Sequence, residues 1–308
     1  MKKKVTVVGA GHVGSSLAQM IVREGTADVA LYDIADGVPQ GKALDLAEAC
    51  PLWGSSSVVV GTNDYAPTAG SDIIVVTAGF PRKPGMSRDD LLSANANVVS
   101  QVVEQTSGLS PAAIIIVVTN PMDVMTQLAL KVSGFKSGRV VGMGGVLDSA
   151  RLRTFVAWEI GVSPRDVEAL VLGGHGDLMV PMPRFTTVKG VSLPSLMSKE
   201  RIESVVERTR NGGAEVVSLL KSGSAYYAPA AAAFEMLRSI LFDERRLLPC
   251  ATYLDGEYGA RGVCTGVPVL LGAGGVERII GLTLNEQEER DFAKSVEAVR
   301  LQAQKLAL

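Results

Sequence analysis

The chain carries two histidines, so any step that needs an imidazole must use His12 or His175. His175 lies in Leu172-Gly-Gly-His-Gly-Asp177, a glycine-rich turn behind a β-branched run. Histidine is the side chain whose ordinary pKa lies near neutral pH, and flanking glycines let a small substrate approach closely. The plain alternative is a turn histidine satisfied by hydrogen bonds. A second cluster shifts that balance. Asp148 and Arg151 stand three apart in Val146-Leu-Asp-Ser-Ala-Arg151, on one face at the start of a helix. Taken singly, the Asp is a helix cap and the Arg a solvated surface residue. A third element is Ala78-Gly-Phe-Pro-Arg82-Lys-Pro-Gly-Met-Ser-Arg88, a Pro/Gly-punctuated segment entering a helix, of the kind that serves as a lid. Arg82, Arg88 and Arg151 at one cleft are costly unless anions arrive. Ordinary surface arginines are the alternative.

Gly9-Ala10-Gly11-His12-Val13-Gly14 follows the run Val5–Val8 and opens a helical stretch, Ser15–Arg23. This spacing suits a dinucleotide: Gly9 for the tight turn, Gly11 for approach of a pyrophosphate to the backbone, Gly14 for helix–strand packing. The next run, Val29–Tyr32, ends at Asp33, nineteen residues after Gly14. A carboxylate there accepts hydrogen bonds from both ribose hydroxyls and repels a 2′-phosphate. Ile34 offers no arginine to hold one, so the cofactor expected is NAD rather than NADP. The alternative is a glycine turn with a capping aspartate. Thr77-Ala78-Gly79 and Val118-Thr119-Asn120 close later runs, at strand ends where ligands of such sheets sit. Asn120 can offer an amide donor and acceptor to the nicotinamide end. Asn95, on the helical face of Leu91 and Leu92, needs a polar partner, either the cofactor or a backbone carbonyl. His12 reads as a spacer among the backbone donors of the turn.

These residues need a frame. Six short apolar runs occupy the first half: Val5–Val8, Val29–Tyr32, Val58–Val60, Ile73–Val76, Ile114–Val118 and Val140–Val141. Continuous rather than alternating apolar character suits strands covered on both faces, and helical patterns lie between them. The expected fold class is α/β: a doubly wound parallel sheet over residues 1–144, then a mixed α+β domain over 145–308. In the second half the spacing predicts helices near 148–161, Lys199–Leu220 and Ala225–Leu241. It predicts short strands at Val167–Leu172 and Arg184–Val188, and paired strands at Val267–Leu271 and Ile279–Leu284. Asn285 and Glu288 form a capping-box pattern for a last helix, in which Phe292, Val296, Val299, Ala303 and Leu306 share a face. No linker separates the halves, so they are expected to share a cleft.

Composition excludes several classes. Of 308 residues, 47% are hydrophobic and 20% charged, with 30 Lys and Arg against 32 Asp and Glu. High apolar content with low net charge excludes a disordered chain. A slightly acidic balance, with Lys2-Lys3-Lys4 as the basic run, argues against a general nucleic-acid binder. No apolar run approaches the roughly 18 residues of a membrane helix, and the start is too glycine-rich for an export signal. Cys50, Cys250 and Cys264 are odd in number and lack metal or redox spacing. No metal site is expected, and free thiols in a reducing, cytoplasmic compartment are.

The segments GAGHVG, TAGFPRKPGMSRDDL, VTNP, LDSAR and GGHGD occur in the order and spacing of the lactate/malate dehydrogenase superfamily, which essentially the whole chain resembles. Within it the chain is similar to the malate dehydrogenases of the lactate-dehydrogenase-like group. The resemblance implies a Rossmann NAD-binding domain, a catalytic domain, and reversible NAD-dependent oxidation of (S)-malate to oxaloacetate. It implies His175 as proton acceptor and donor, Asp148 as the carboxylate that orients it, and Arg151 as the clamp on the C1 carboxylate. Arg88 matches the lid arginine that polarises the keto oxygen, and Arg82 the position that separates malate from lactate enzymes. Asn120 matches a residue touching both cofactor and substrate. Ser224, in Gly223-Ser-Ala-Tyr-Tyr-Ala228, matches the substrate-pocket wall. A homo-oligomer, dimer or tetramer, is implied as well. A lactate or other 2-hydroxyacid dehydrogenase is the nearest alternative. Arg82 argues against it, because a pyruvate methyl would leave a buried arginine unpaired. A non-catalytic NAD-binding redox sensor is another, against which the intact Asp148, Arg151 and His175 set argues.

Overall fold

A computed structural model describes residues 2–80 and 88–308, the side chain of Arg88 excepted. The expectations for Arg82 and for the Arg88 side chain lie outside that set. Strand β1 (Lys4–Val8) leads into helix α1 (His12–Arg23), followed by β2 (Asp28–Tyr32), α2 (Val38–Trp53), β3 (Val59–Thr62) and β4 (Ile73–Val76). Then come α3 (Arg88–Leu109), β5 (Ile114–Val117), α4 (Met122–Ser133) and β6 (Val140–Gly142). These strands pair in parallel in the order β3-β2-β1-β4-β5-β6. That doubly wound order opens a crevice beyond the carboxyl ends of β1 and β4. β4 and β5 are buried throughout, as continuous Ile/Val runs require when both faces are covered.

Helix α5 (Gly145–Ile160) starts the second half, followed by short strands β7 (Val167–Glu168), β8 (Val171–Leu172), β9 (Val180–Pro181), β10 (Thr187–Val188) and β11 (Val191–Ser192). Helices α6 (Lys199–Leu220) and α7 (Tyr227–Leu241) precede strands β12 (Arg246–Asp255), β13 (Arg261–Gly272) and β14 (Gly275–Ile279), and α8 (Glu286–Gln304) closes the chain. The three long strands are antiparallel and extend the first sheet. Ala251 of β12 pairs with Gly142 of β6, which gives nine strands in the order β14-β13-β12-β6-β5-β4-β1-β2-β3. One buried apolar cluster accordingly runs from Val5 to Ala303. A smaller one, around Leu152, Val156 and Met179, lies beneath α5.

Several expectations for this half change. The run 167–172 is two strands, because its first two residues pair with β10 and its last two with β9. Arg184–Val188 is strand only at Thr187–Val188, since Pro183 opens a 3-10 turn over Pro183–Phe185. The strand expected at Ile279–Leu284 lies earlier, at Gly275–Ile279, because Gly272 pairs with Gly275 across a two-residue turn. β12 has no counterpart among the expected strands, and Pro249 lies within it. In the structure Pro249 faces Pro268. Opposed residues of an antiparallel pair either exchange both bonds or none, so two prolines fit at a non-bonded pair without interrupting the ladder. The capping box of α8 is present: Asn285 Oδ1 accepts from Glu288 N at 2.9 Å, and Glu288 Oε2 accepts from Asn285 N at 2.8 Å. Cys50, Cys250 and Cys264 are buried free thiols. Among the described residues, no helix is long and apolar enough to cross a membrane, and no cluster of His, Cys, Asp and Glu could hold a metal ion.

Candidate active site

A Cβ at Gly14 would stand 1.8 Å from the Gly9 carbonyl oxygen, so glycine is what lets α1 start so close to β1. Gly11 instead faces open space, and no side chain caps α1. An uncapped helix start behind uncovered backbone fits a pyrophosphate. Asp33 Oδ2 accepts from Ala10 N at 2.7 Å and Oδ1 from Ala35 N at 3.0 Å. The carboxylate is thereby fixed beside the turn, with lone pairs left for ribose hydroxyls. Lys42 of α2 donates to Ala10 O at 2.5 Å and Ser15 Oγ at 2.9 Å, placing a cation at the same turn. No sequence signal sets Lys42 apart from other helical lysines. His12 is more than a spacer: its ring stacks on Tyr226 with centroids 4.9 Å apart. The turn thereby meets the α6–α7 connection, where Ser224 sits exposed.

Hydroxyls stitch the strand ends that follow. Thr77 Oγ1 donates to Val8 O at 3.0 Å, and Thr119 Oγ1 donates to Ala78 O at 2.7 Å. Val118 N donates to Val76 O at 2.9 Å, and Gly79 abuts the Thr119 methyl. Asn95 is buried and takes backbone partners. Its Oδ1 accepts from Phe80 N at 2.7 Å, and its Nδ2 donates to Asn120 O at 2.6 Å.

His175 lies between β8 and β9. Its Nδ1 is 2.8 Å from Asp148 Oδ2, while Asp148 Oδ1 accepts from Arg151 Nη1 at 3.1 Å. Asp148 is 1% exposed, so its charge is buried and partnered on both oxygens. Arg151 occupies a niche against α6, where a Cβ on Gly212 would come within 3.2 Å of Arg151 Cδ. The sequence signal for that niche is the pair Gly212-Gly213 inside a helical run. Burial alone would lower the His175 pKa. The charge and hydrogen bond of Asp148, with Asp123 adding to them, outweigh burial and Arg151, and the net shift is upward.

Three successive main-chain N–H groups of the turn are held by three different elements. Gly173 donates to Gly266 O of β13 at 2.8 Å, Gly174 to Ser295 Oγ of α8 at 2.8 Å, and His175 to Asp123 Oδ2 of α4 at 2.7 Å. Ser295 and Asp123 escape sequence reasoning. An Asp in the first turn of a helix reads as a complement to the helix dipole, and a lone Ser on a helix reads as surface. A cleft of about 440 Å³ opens on this turn, lined by Asn120, Asp123, His175 and Ser295, with Asp89 and Lys305 among its other walls. The structure thus gathers His175, Asp148, Arg151 and Asn120. Ser224 belongs instead to the segment beside the first glycine turn.

Residues 3–142 match the family model of the lactate/malate dehydrogenase NAD binding domain, and residues 145–306 that of the lactate/malate dehydrogenase alpha/beta C-terminal domain. The chain is 56% identical over 299 residues to a malate dehydrogenase of Roseiflexus castenholzii, covering 97% of each chain. The crystal structure of Cryptosporidium parvum malate dehydrogenase is similar with a TM-score of 0.97 at 42% identity, covering 100% of this chain and 99% of that one. The lactate dehydrogenase of the same organism, complexed with lactic acid and nicotinamide adenine dinucleotide, is similar with a TM-score of 0.96 at 42% identity, over 100% and 98% of the two chains. Backbone similarity therefore does not separate the two substrates.

Proposed function

The chain belongs to the lactate/malate dehydrogenase family, and on that premise we infer that it catalyses the reversible, NAD-dependent oxidation of (S)-malate to oxaloacetate. The observation that carries this reading is the buried pair of His175 Nδ1 and Asp148 Oδ2 at 2.8 Å. Asp148 accepts a hydrogen bond from Nδ1–H and so fixes the tautomer. That leaves Nε2 to take the hydroxyl proton of malate and to return it in the reverse direction. Arg151, steadied by Asp148, presents its remaining donors to the C1 carboxylate. When bound, the nicotinamide exchanges the hydride with the same carbon. Asp33 and the Gly9–Gly14 turn hold the ribose and pyrophosphate. Thr77, Ala78, Gly79, Val118, Thr119 and Asn120 form the strand-end floor of the nicotinamide half, and Asn95 acts on it through the main chains of Phe80 and Asn120. Arg88, Arg82 and Ser224 enter by their match to the family motifs: Arg88 at the keto oxygen, Arg82 at the C4 carboxylate, Ser224 in the pocket wall.

The same reading makes the protein a cytoplasmic homo-oligomer. The three buried, unbridged thiols support a reducing compartment. Leu44 and Leu52 of α2, 62% and 87% exposed, support an apolar contact between copies. The test is kcat/KM with NADH and NADPH against oxaloacetate and pyruvate. Oxaloacetate is expected to win by roughly a thousandfold, the cost of leaving an arginine unpaired against a methyl. A preference for pyruvate overturns the substrate, and NADH binding without turnover favours a redox sensor.

A further inference from the structure

Asp123 has no task in that mechanism, yet it touches the residue at its centre. It is 4% exposed. Its Oδ2 accepts the His175 main-chain N–H at 2.7 Å, and its Oδ1 has no hydrogen-bond partner among the described residues. It lines the same cleft as His175. A neutral asparagine would hold the same N–H without burying a charge, so the carboxylate needs a reason of its own.

The charges around His175 supply one. Helix α5 contributes Asp148, on the ring, and Arg151, on the far oxygen of Asp148. Helix α4 contributes Asp123, and β13 contributes the buried Cys264 thiol, whose pKa burial and then Asp123 push upward, keeping it neutral. Helix α8 offers the Ser295 hydroxyl, and Lys305, just beyond its end and across the cleft, pairs with Asp89 of α3 at 2.5 Å. Asp177 follows in the turn itself. Among the described residues, the charges of Asp148 and Asp123 favour the protonated imidazole and that of Arg151 opposes it.

Resting on the proton-carrier role inferred for His175, we propose that Asp123 is a positioning residue that anchors the His175 main chain and supplies the second negative charge holding a proton on the imidazole. Its own carboxyl is pushed up to about 7 by burial, against the lowering pull of the His175 N–H and charge. Each group acts on the charge of the other, so the two titrate as a coupled pair. Reduction of oxaloacetate, which needs imidazolium, extends to higher pH because Asp123 is charged there.

Asp123→Asn tests this, since the amide oxygen still accepts the His175 N–H. Loss of the negative charge lowers the proton affinity of His175. The acid limb of kcat/KM for malate oxidation and the basic limb for oxaloacetate reduction should both move to lower pH by about one unit. Plateau kcat for oxidation should change less than about tenfold, because the N–H acceptor survives. Limbs that stay in place while kcat falls at every pH would mean a merely structural Asp123 and overturn the proposal. A wild-type profile with no such ionisation would overturn the role of His175 and the proposal with it. Should Asp123→Asn fail to fold, the carboxyl carbon NMR signals of the full wild-type chain carry the test. One aspartate should titrate near 7, and its midpoint should rise in His175→Gln. A midpoint indifferent to that change overturns the coupling.

Discussion

The turn Gly9–Gly14 and the turn Gly173–Asp177 both follow a strand and both enter the proposed reaction, but they are secured differently. The first is secured mainly by neighbours along the chain, with the His12 ring on Tyr226 as a distant contact. β1, turn and α1 are one continuous stretch, and Asp33 and Lys42 come from the next two elements along the chain. The second stands on four elements scattered over the sequence, through Asp123, Asp148, Gly266 and Ser295. The difference follows from the tasks. Holding a phosphate needs backbone donors in a fixed array, which a local fold provides. Carrying a proton near neutral pH needs an imidazole whose charge balance is set from several sides, and those charges must be brought from afar.

The largest test of that contrast is His175→Ala. Turnover should fall by roughly a thousandfold while NADH affinity, read by fluorescence titration, stays at the wild-type value. A kcat close to wild type would move the proton to another group. Next comes Gly14→Ala, whose methyl would meet the Gly9 carbonyl. Denaturant unfolding should show a loss of about 1–3 kcal/mol or more, with NADH affinity falling alongside. An unchanged midpoint would mean that the helix start is not pinned by that approach. Asp33→Gly should reduce the kcat/KM preference for NAD over NADP by about tenfold, through loss of charge-assisted bonds to the ribose. An unaltered ratio removes Asp33 from the ribose site. The smallest effect should come from Ser295→Ala. Freeing the Gly174 N–H should cost about 1 kcal/mol of stability and leave kcat within a few-fold, because Asp148 and Asp123 still hold His175. A kcat collapse there would give α8 a larger share of the turn than its one hydrogen bond suggests.

What the sequence made legible tracks how local each feature is. The parallel strands announce themselves as uninterrupted Ile/Val runs such as Ile114–Val117, and the first turn and Asp33 are spaced along adjacent elements. Asp148 and Arg151 are readable as a pair because one helical turn separates them. Asp123 is not, since its partner lies fifty-two residues away and its own helix start offers an ordinary reason for an acidic residue. β12 contains Pro249, whose tolerance depends on its place in the ladder, opposite Pro268, and not on the run around it. Lys42 likewise acquires meaning only from what packs against it.

The extension of the first sheet by β12, with its apolar cluster spanning Val5 to Ala303, governs how the molecule comes apart. Neither half can melt alone without stripping the other of a strand neighbour and of its buried contacts. The seam between β6 and β12 is therefore spanned by strand pairing and by shared core, and calorimetric unfolding is expected to show one transition rather than two.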